Sequence, residues 1–303
     1  MRFLTPTDDF TYAAPDDAAW RRAVIHGIEQ LTGKPRLWRL YAEYCSGAQG
    51  REGAGAGDFF AEAVERLSLG LSIERRALAR IPREGPRVVV ANHPFGVVDG
   101  IVLGYLLSRV RPDFRIVVNS VLYRLPELQP FLLPVDFAET REAQAVNLET
   151  RRQARADLAA GRAIAIFPGG TVSTAASPLG RAADPEWKPF VGRLVQESQA
   201  TVVPVFFEGQ NSRLFQLASQ VSMTLRLSLL FREVVNKMDR EVAVSIGAPL
   251  HHAQLAHLRD RRALTEHLRT VTYASQSYAA VAERGDGFTT PFEPPLGPVF
   301  HLQ

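Results

Sequence analysis

The stretch VVVANHPFGVVDG, residues 88–100, contains the signals that decide the fold of this chain. Its run of three valines is typical of a buried strand, because β-branched side chains pack well on a pleated surface. The Pro-Phe-Gly segment then forces a turn, and the apolar residues after Asp99 continue as a helix. A buried strand that turns directly into a helix is the building unit of α/β layer folds.

The same alternation of strand and helix continues along the chain from residue 71. Short β-rich runs predict strands at 71–75, 88–91, 115–118, 163–167, 202–207 and 241–246. Helical patterns are found near 100–110, 138–160, 186–198, 211–219 and 253–282. This order predicts an α/β fold with a mixed, largely parallel sheet flanked by helices and preceded by an N-terminal helical element. Ligands of such sheets bind beyond the carboxyl ends of the strands.

The pattern divides the chain into three segments. Residues 1–70 form the predicted N-terminal helical element, residues 71–283 the α/β domain, and residues 284–303 a proline-rich tail. The first helix carries an apolar stripe, which is typical either of helix packing or of docking on a membrane, and both interpretations stay open. The stripe consists of Trp20, Val24, Ile28 and Leu31.

His93 and Asp99 are the candidate catalytic pair. The strand at 88–91 ends next to His93 and places it at the rim of the sheet, and a turn of five residues can fold the Asp99 carboxylate back onto the imidazole. Such a carboxylate orients the ring and keeps one nitrogen free to accept a proton, as a general base requires. The alternative is that Asp99 only caps the helix and that His93 is a structural residue at a strand end.

Two later segments add polar groups at other strand ends. FPGGTVS (residues 167–173) offers backbone N–H groups at Gly169 and Gly170 and hydroxyls at Thr171 and Ser173. FEGQNSRLFQLAS (residues 207–219) contains Arg213, which is suited either to an anionic group or to a structural ion pair. Its Asn-Ser pair can also cap the next helix.

Four blocks in order, between about residues 71 and 247, resemble the glycerolipid acyltransferase superfamily, which includes lysophosphatidate acyltransferases. NHPFGVVDG resembles its histidine–aspartate block, but with five residues between the pair instead of four. That longer form, the NSRLFQ segment and VVNSVLYRLPELQPFLLPVD (residues 117–136) resemble the bacterial hemolysin-like branch, which includes lyso-ornithine-lipid acyltransferases. FPGGTVS resembles the FPEGTRS block, with Gly169 in place of its glutamate and Val172 in place of its arginine.

The resemblance implies a set of site residues and a reaction. His93 and Asp99 would be catalytic, and a second group would bind substrate: Asn92, Gly96, Phe167, Pro168, Gly169, Gly170, Thr171, Ser173, Asn211 and Arg213. The expected reaction moves a fatty acyl group from acyl-carrier protein or acyl-CoA to the hydroxyl of a lyso-lipid, either lysophosphatidate or lyso-ornithine lipid. No metal and no cofactor is expected. A thioesterase that uses the same pair and a non-catalytic lipid or acyl-carrier binding module remain as alternatives.

Composition indicates where such a protein would act. The net charge is +3 among 303 residues, which is too weak to indicate a nucleic-acid partner, although it suits an anionic membrane or an acidic carrier protein. The single cysteine, Cys45, excludes an internal disulfide and fits a reducing compartment. No apolar stretch reaches the roughly 18 residues of a membrane span. We therefore expect a cytoplasmic protein that associates peripherally with the inner face of the membrane.

Overall fold

The computed structural model describes residues 11–13, 17–48, 56–74, 76–138, 140–177 and 180–276. The proline-rich tail predicted for residues 284–303 lies outside the described residues. In the described part the chain is a layered α/β structure, and the predicted fold class is confirmed.

A seven-stranded sheet forms the centre of the molecule. Its order is β1-β9-β8-β2-β5-β3-β4, and every neighbouring pair is parallel except β8 and β9. Two further strands, β6 and β7, make a short antiparallel hairpin. The strands are β1 (Gly70–Ile73), β2 (Arg87–Ala91), β3 (Phe114–Asn119), β4 (Leu132–Val135), β5 (Ala163–Ile166), β6 (Thr174–Ala175), β7 (Ala182–Ala183), β8 (Thr201–Phe207) and β9 (Glu241–Ile246).

All six predicted strands are present, whereas β4 was missed. Its sequence, LLPV, is only four residues long, and Pro134, which has no N–H group to donate to a strand ladder, weakens the pattern further. The structure resolves the conflict because β4 is the outermost strand, next to β3 alone. Proline is tolerated at such an edge.

Eleven α-helices are found in the described residues. They are α1 (Ala19–Thr32), α2 (Lys34–Ala48), α3 (Ala56–Arg66), α4 (Val97–Ser108), α5 (Arg141–Ala159), α6 (Phe190–Ser198), α7 (Arg213–Val221), α8 (Met223–Ser228), α9 (Leu230–Lys237), α10 (His252–Leu255) and α11 (Arg261–Ala274). The sequence did not predict α8 and α9, and the single helix expected over 253–282 is divided into α10 and α11. No described helix is long and apolar enough to cross a membrane.

The two faces of the sheet carry separate hydrophobic cores. One core joins α3, α4 and α9 to the sheet, and the other joins α5, α6 and α11 to the opposite face. Contact between α3 and α4 is close at Gly104, where an added Cβ atom would lie 2.3 Å from the ring of Phe60. The N-terminal helices are thus packed onto the α/β layers, although the predicted domain boundaries stay a prediction.

The apolar stripe of α1 does not face the core. Trp20 is 68% exposed and Leu31 is 87% exposed, whereas Ile25 and Glu29 on another side of the helix are fully buried. Of the stripe, Ile28 packs against a small apolar cluster. Helix packing therefore does not account for Trp20 and Leu31.

Candidate functional site

The candidate site lies at the carboxyl edge of the central strands. Strands β5, β2 and β8 are adjacent and parallel, so that the segments following them emerge at the same edge. These segments begin at Asn92, Phe167 and Glu208. The topology thus brings together the blocks that are far apart in the sequence.

His93 and Asp99 form a close pair at this edge. Nδ1 of His93 lies 3.0 Å from Oδ2 of Asp99, and the side chains are 18% and 0% exposed. The imidazole also stacks on Phe167, with ring centroids 4.1 Å apart. The ring is therefore held on one face and at one nitrogen, while part of it stays accessible to a substrate.

The turn between the two residues explains how five intervening residues are accommodated. Asp99 is in the first turn of α4, and its Oδ2 accepts hydrogen bonds from the backbone N–H groups of Phe95 and Gly96, at 2.9 and 3.0 Å. Gly96 has φ = 82°, a conformation that glycine adopts without strain. Burial raises the pKa of Asp99, and His93 together with the two backbone N–H groups opposes that rise. Asp99 therefore caps α4 and also contacts the imidazole, while its catalytic role stays a prediction.

Asp184 is a central residue of the site that sequence reasoning missed. It is 5% exposed, and its carboxylate accepts hydrogen bonds from the backbone N–H of His93, the Oγ of Ser173 and the Nε1 of Trp187. No motif marks it, because it comes from the short β6–β7 hairpin region, which carries no periodic signal. It fixes the backbone of the candidate base to the FPGGTVS loop.

Replacing Asp184 with alanine is expected to destabilise the protein by about 3 kcal/mol, because three donors lose a buried acceptor. Urea unfolding followed by circular dichroism measures this loss. Ser173→Ala, which removes one of those donors, is the matched variant and should cost less. An Asp184→Ala protein as stable as the wild type would contradict this role.

Two of the predicted substrate-binding residues use their polar groups within the protein. The Asn92 amide bonds twice to the Phe207 backbone, donating to its carbonyl and accepting from its N–H. Ser173 donates through Oγ to Asp184 and through its N–H to the carbonyl of His93, at 2.8 Å for the latter. These contacts favour structural roles, which join β2 to β8 and the loop to the candidate base. Contact with substrate stays a prediction for both.

The loop glycines differ in what their amides do. Gly170 donates to the carbonyl of Phe167, and Gly96 donates to Asp99 as described above. In the described part of the chain, the N–H groups of Gly169, Thr171 and Val172 have no acceptor. Gly169 also has little space, since an added Cβ atom would lie 3.3 Å from Asp184. Pro168 accepts a backbone hydrogen bond from Lys188.

The segment after β8 places Asn211 and Arg213 at the start of α7. Asn211 is 1% exposed, and neither polar atom of its side chain has a hydrogen-bond partner among the described residues. Ser212 is the residue that caps α7, because its Oγ accepts from the N–H of Phe215. Arg213 is exposed at the first position of the helix. Among the described residues, the Asn211 side chain makes no hydrogen bond to His93.

An apolar cavity of about 170 Å³ begins beside the turn between His93 and Asp99. Its floor includes Val97, Gly100 and Ile101 at the start of α4, directly after the turn that contains His93. Side chains of α2 and α3, among them Trp38 and Phe60, also line it. The cavity is lined almost entirely by apolar atoms, which suits a hydrocarbon chain. Within the described residues, no group of three or more metal-ligating side chains is found.

Comparison with known proteins shows clear similarities. A family model described as "Acyltransferase" matches residues 58–280. A lyso-glycine lipid O-acyltransferase from Phocaeicola vulgatus is 28% identical over 201 residues, covering 64% of this chain and 68% of that protein. Another from Bacteroides thetaiotaomicron is 26% identical over 224 residues, covering 71% and 79%. The crystal structure of the 1-acyl-sn-glycerophosphate acyltransferase PlsC from Thermotoga maritima aligns with a TM-score of 0.48 at 17% identity, covering 74% of this chain and 78% of that one.

Proposed function

Because this chain belongs to the acyltransferase family whose model spans residues 58–280, we propose that it transfers a fatty acyl group from a thioester to the hydroxyl of a lyso-lipid, with His93 as the general base. The expected membership of the glycerolipid acyltransferase superfamily is confirmed, and the chain is an acyltransferase. The observation that supports the mechanism is the buried Asp99 carboxylate 3.0 Å from the imidazole of His93, beside an apolar cavity.

The proposed reaction is a direct transfer between two bound substrates. His93 takes the proton of the acceptor hydroxyl, and the hydroxyl oxygen attacks the carbonyl carbon of the thioester. A carbon–oxygen bond forms, the carbon–sulfur bond breaks, and the leaving thiolate receives the proton from the imidazolium. Asp99 stabilises the imidazolium that forms during the step. The unused N–H groups of Gly169, Thr171 and Val172 are the donors that we assign to the developing oxyanion.

We assign the acyl chain to the cavity beneath α2 and α3. Its lining includes Val97, the residue directly after Gly96 in the turn that holds the base, so we place the carbonyl carbon of a chain bound there near His93. Apolar walls favour a hydrocarbon chain, because its transfer from water contributes about 0.8 kcal/mol for each buried CH₂ group. Acyl-carrier protein and acyl-CoA present the same thioester, and either is a suitable donor.

Gly100→Leu is expected to shift the preferred donor toward shorter acyl chains by about tenfold, as one misfitting group in an apolar pocket does. Gly100 lines the cavity, and no atom lies within 4 Å of a Cβ atom added there, so the new side chain would occupy space inside the cavity. The measurement is kcat/KM with donors of increasing chain length. Gly100→Ala is the matched control, and an unchanged chain-length profile in the leucine variant would place the acyl chain elsewhere.

The acceptor is proposed to be a lyso-lipid with an amino-acid head group. The two relatives named above act on lyso-glycine lipid, and the FPGGTVS loop has Val172 where the superfamily block has arginine. Lyso-glycine lipid, lyso-ornithine lipid and lysophosphatidate should each be tested with labelled acyl-carrier protein and acyl-CoA. A diacylated product establishes the transfer and names the acceptor. Loss of the thioester without a lipid product would instead support the thioesterase alternative, and tight binding without turnover the binding module.

A position at the inner face of the cytoplasmic membrane is part of the proposal. Exposed apolar side chains are found on α1 and on α7, where Leu214, Leu217 and Val221 follow one another at helical spacing. The acidic residue of α1, Glu29, is buried, and the sequences of α7 and α8 contain no acid. Apolar helix faces with basic rather than acidic neighbours suit an anionic lipid surface.

A further inference from the structure

Arg226 is a partly buried cation beside the FPGGTVS loop, and no described acid compensates its charge. It is in α8, and its Nη2 donates a hydrogen bond to the carbonyl of Val172. Its other N–H groups have no acceptor within the described part of the chain, and they are not sealed from solvent. Burial lowers the pKa of the Arg226 guanidinium, and burial is the sole cause of that shift. Holding a cation in such a place costs free energy unless an anion compensates it.

The acids on the helices that pack against α8 are committed to other partners. Glu29 of α1 accepts from the Oγ1 of Thr11 and the N–H of Tyr12, and it is paired with Lys34. Glu233 of α9 accepts from Ser212, Arg232 and Asn236. The sequence of α7, the third neighbouring helix, contains no acid. Among the described residues, Arg226 is therefore available to an external anion.

One peptide group connects Arg226 to the candidate base. The carbonyl of Val172 accepts from Arg226, and the N–H of the same peptide unit, at Ser173, donates to the carbonyl of His93 over 2.8 Å. The two groups of a trans peptide point in opposite directions, so the guanidinium lies roughly 7–8 Å from the His93 carbonyl at most. Arg226 is thus one peptide group away from the backbone of the candidate base, at the contact that the FPGGTVS loop makes with His93.

We propose that Arg226 binds the carboxylate or phosphate of the acceptor's head group and thereby selects anionic lyso-lipids. Arginine suits this role because its planar fork can donate two parallel hydrogen bonds to either anion. The inference rests on the proposed function and adds a recognition site on α8, a helix that the sequence did not predict. It also supplies a cation at Val172, where the motif of this chain has none.

The test uses an N-acylated glycine that carries a hydroxyl on its acyl chain, compared with its methyl ester. Arg226→Gln keeps a donor for the Val172 carbonyl and removes the charge. We expect KM for the free acid to rise at least tenfold, as loss of hydrogen bonds to a charged group implies. KM for the ester and KM for the donor should stay unchanged, and kcat should change little. Arg226→Lys should recover part of the affinity, and Arg259→Met, an exposed arginine, should match the wild type.

Direct binding separates this proposal from the proposed function. Calorimetric titration of the free acid and of the ester, without any acyl donor, needs no turnover. The wild type should bind the free acid more tightly than the ester, and this difference in affinity should disappear in Arg226→Gln. That result supports the site even if no acyl transfer is detected. Equal affinity of wild type and variant for the free acid would overturn it. So would a rise in the KM of acyl-CoA or acyl-carrier protein instead of the acceptor, because the bound anion would then belong to the donor. Urea unfolding of Arg226→Gln confirms that a changed affinity is not lost folding.

Discussion

Replacing His93 with alanine is expected to lower the rate of acyl transfer by about two to four orders of magnitude, the range that a general base contributes. Without the imidazole, no described group in contact with Asp99 can take the proton of the acceptor hydroxyl. A hydroxyl that keeps its proton is a weak nucleophile. The activity that remains would come from the binding of both substrates. The measurement is the initial rate of diacylated product formation at saturating donor and acceptor.

Folding and binding have to be separated from chemistry in this variant. The His93 side chain is 18% exposed at the edge of the sheet and stacks on the ring of Phe167, so the alanine protein should fold. Its circular dichroism spectrum and urea midpoint test this. His257→Ala removes an exposed histidine outside the site and should keep full activity. A folded His93→Ala protein with wild-type turnover would exclude His93 as the base.

Asp99→Asn is expected to lower turnover by at least about 10²-fold while leaving the fold intact, since an orienting carboxylate acts through the base that it supports. An asparagine oxygen can still accept from Phe95 and Gly96, so the turn before α4 keeps its cap. The neutral amide cannot stabilise the imidazolium as a carboxylate does. Glu149→Gln, which removes an exposed carboxylate on α5, is the matched control.

The pH dependence provides a second readout for Asp99. Burial raises its pKa above the usual 3.8, so the folded protein binds a proton at this residue more readily than the unfolded chain does. Its contribution to stability is therefore fully present below pH 3.8 and is lost as the pH rises through the raised pKa. Asparagine does not titrate. The free energy of unfolding of Asp99→Asn should therefore rise relative to that of the wild type as the pH rises through that window. A stability difference that does not vary with pH, or full activity of the variant, would contradict the assignment.

The sequence predicted His93 and Asp99 as a candidate pair but not the residues that hold the pair in place. His93 and Asp99 stand out because a valine strand, a Pro-Phe-Gly turn and a helix start follow one another within thirteen residues. Asp184 is 91 residues from His93 in the sequence and makes a 3.0 Å hydrogen bond to its backbone. Only the adjacency of the loops after β2 and β5 explains that contact, and no local pattern encodes it.

The contacts of individual polar residues likewise depend on the tertiary structure. Asn92 lies inside the motif, which suggested substrate binding, yet its amide pairs with the backbone of Phe207 on the neighbouring strand. Arg226 has no motif around it, and its importance follows from the acids that are absent from its described surroundings. The sequence shows which residues are charged. Whether a charge has an oppositely charged partner depends on how the helices and strands pack together.

By itself the sequence determined the class of the fold, the strands β1, β2, β3, β5, β8 and β9, and the identity of the candidate base, because these depend on local periodicity and on residues close in the chain. The tertiary structure alone decided the strand order, the edge strand β4, the cavity beneath α2 and α3, and the positions of Asp184 and Arg226. These features depend on which elements become neighbours when apolar faces are buried together. That outcome is set by packing over the whole chain, so it leaves no short-range signal in the sequence.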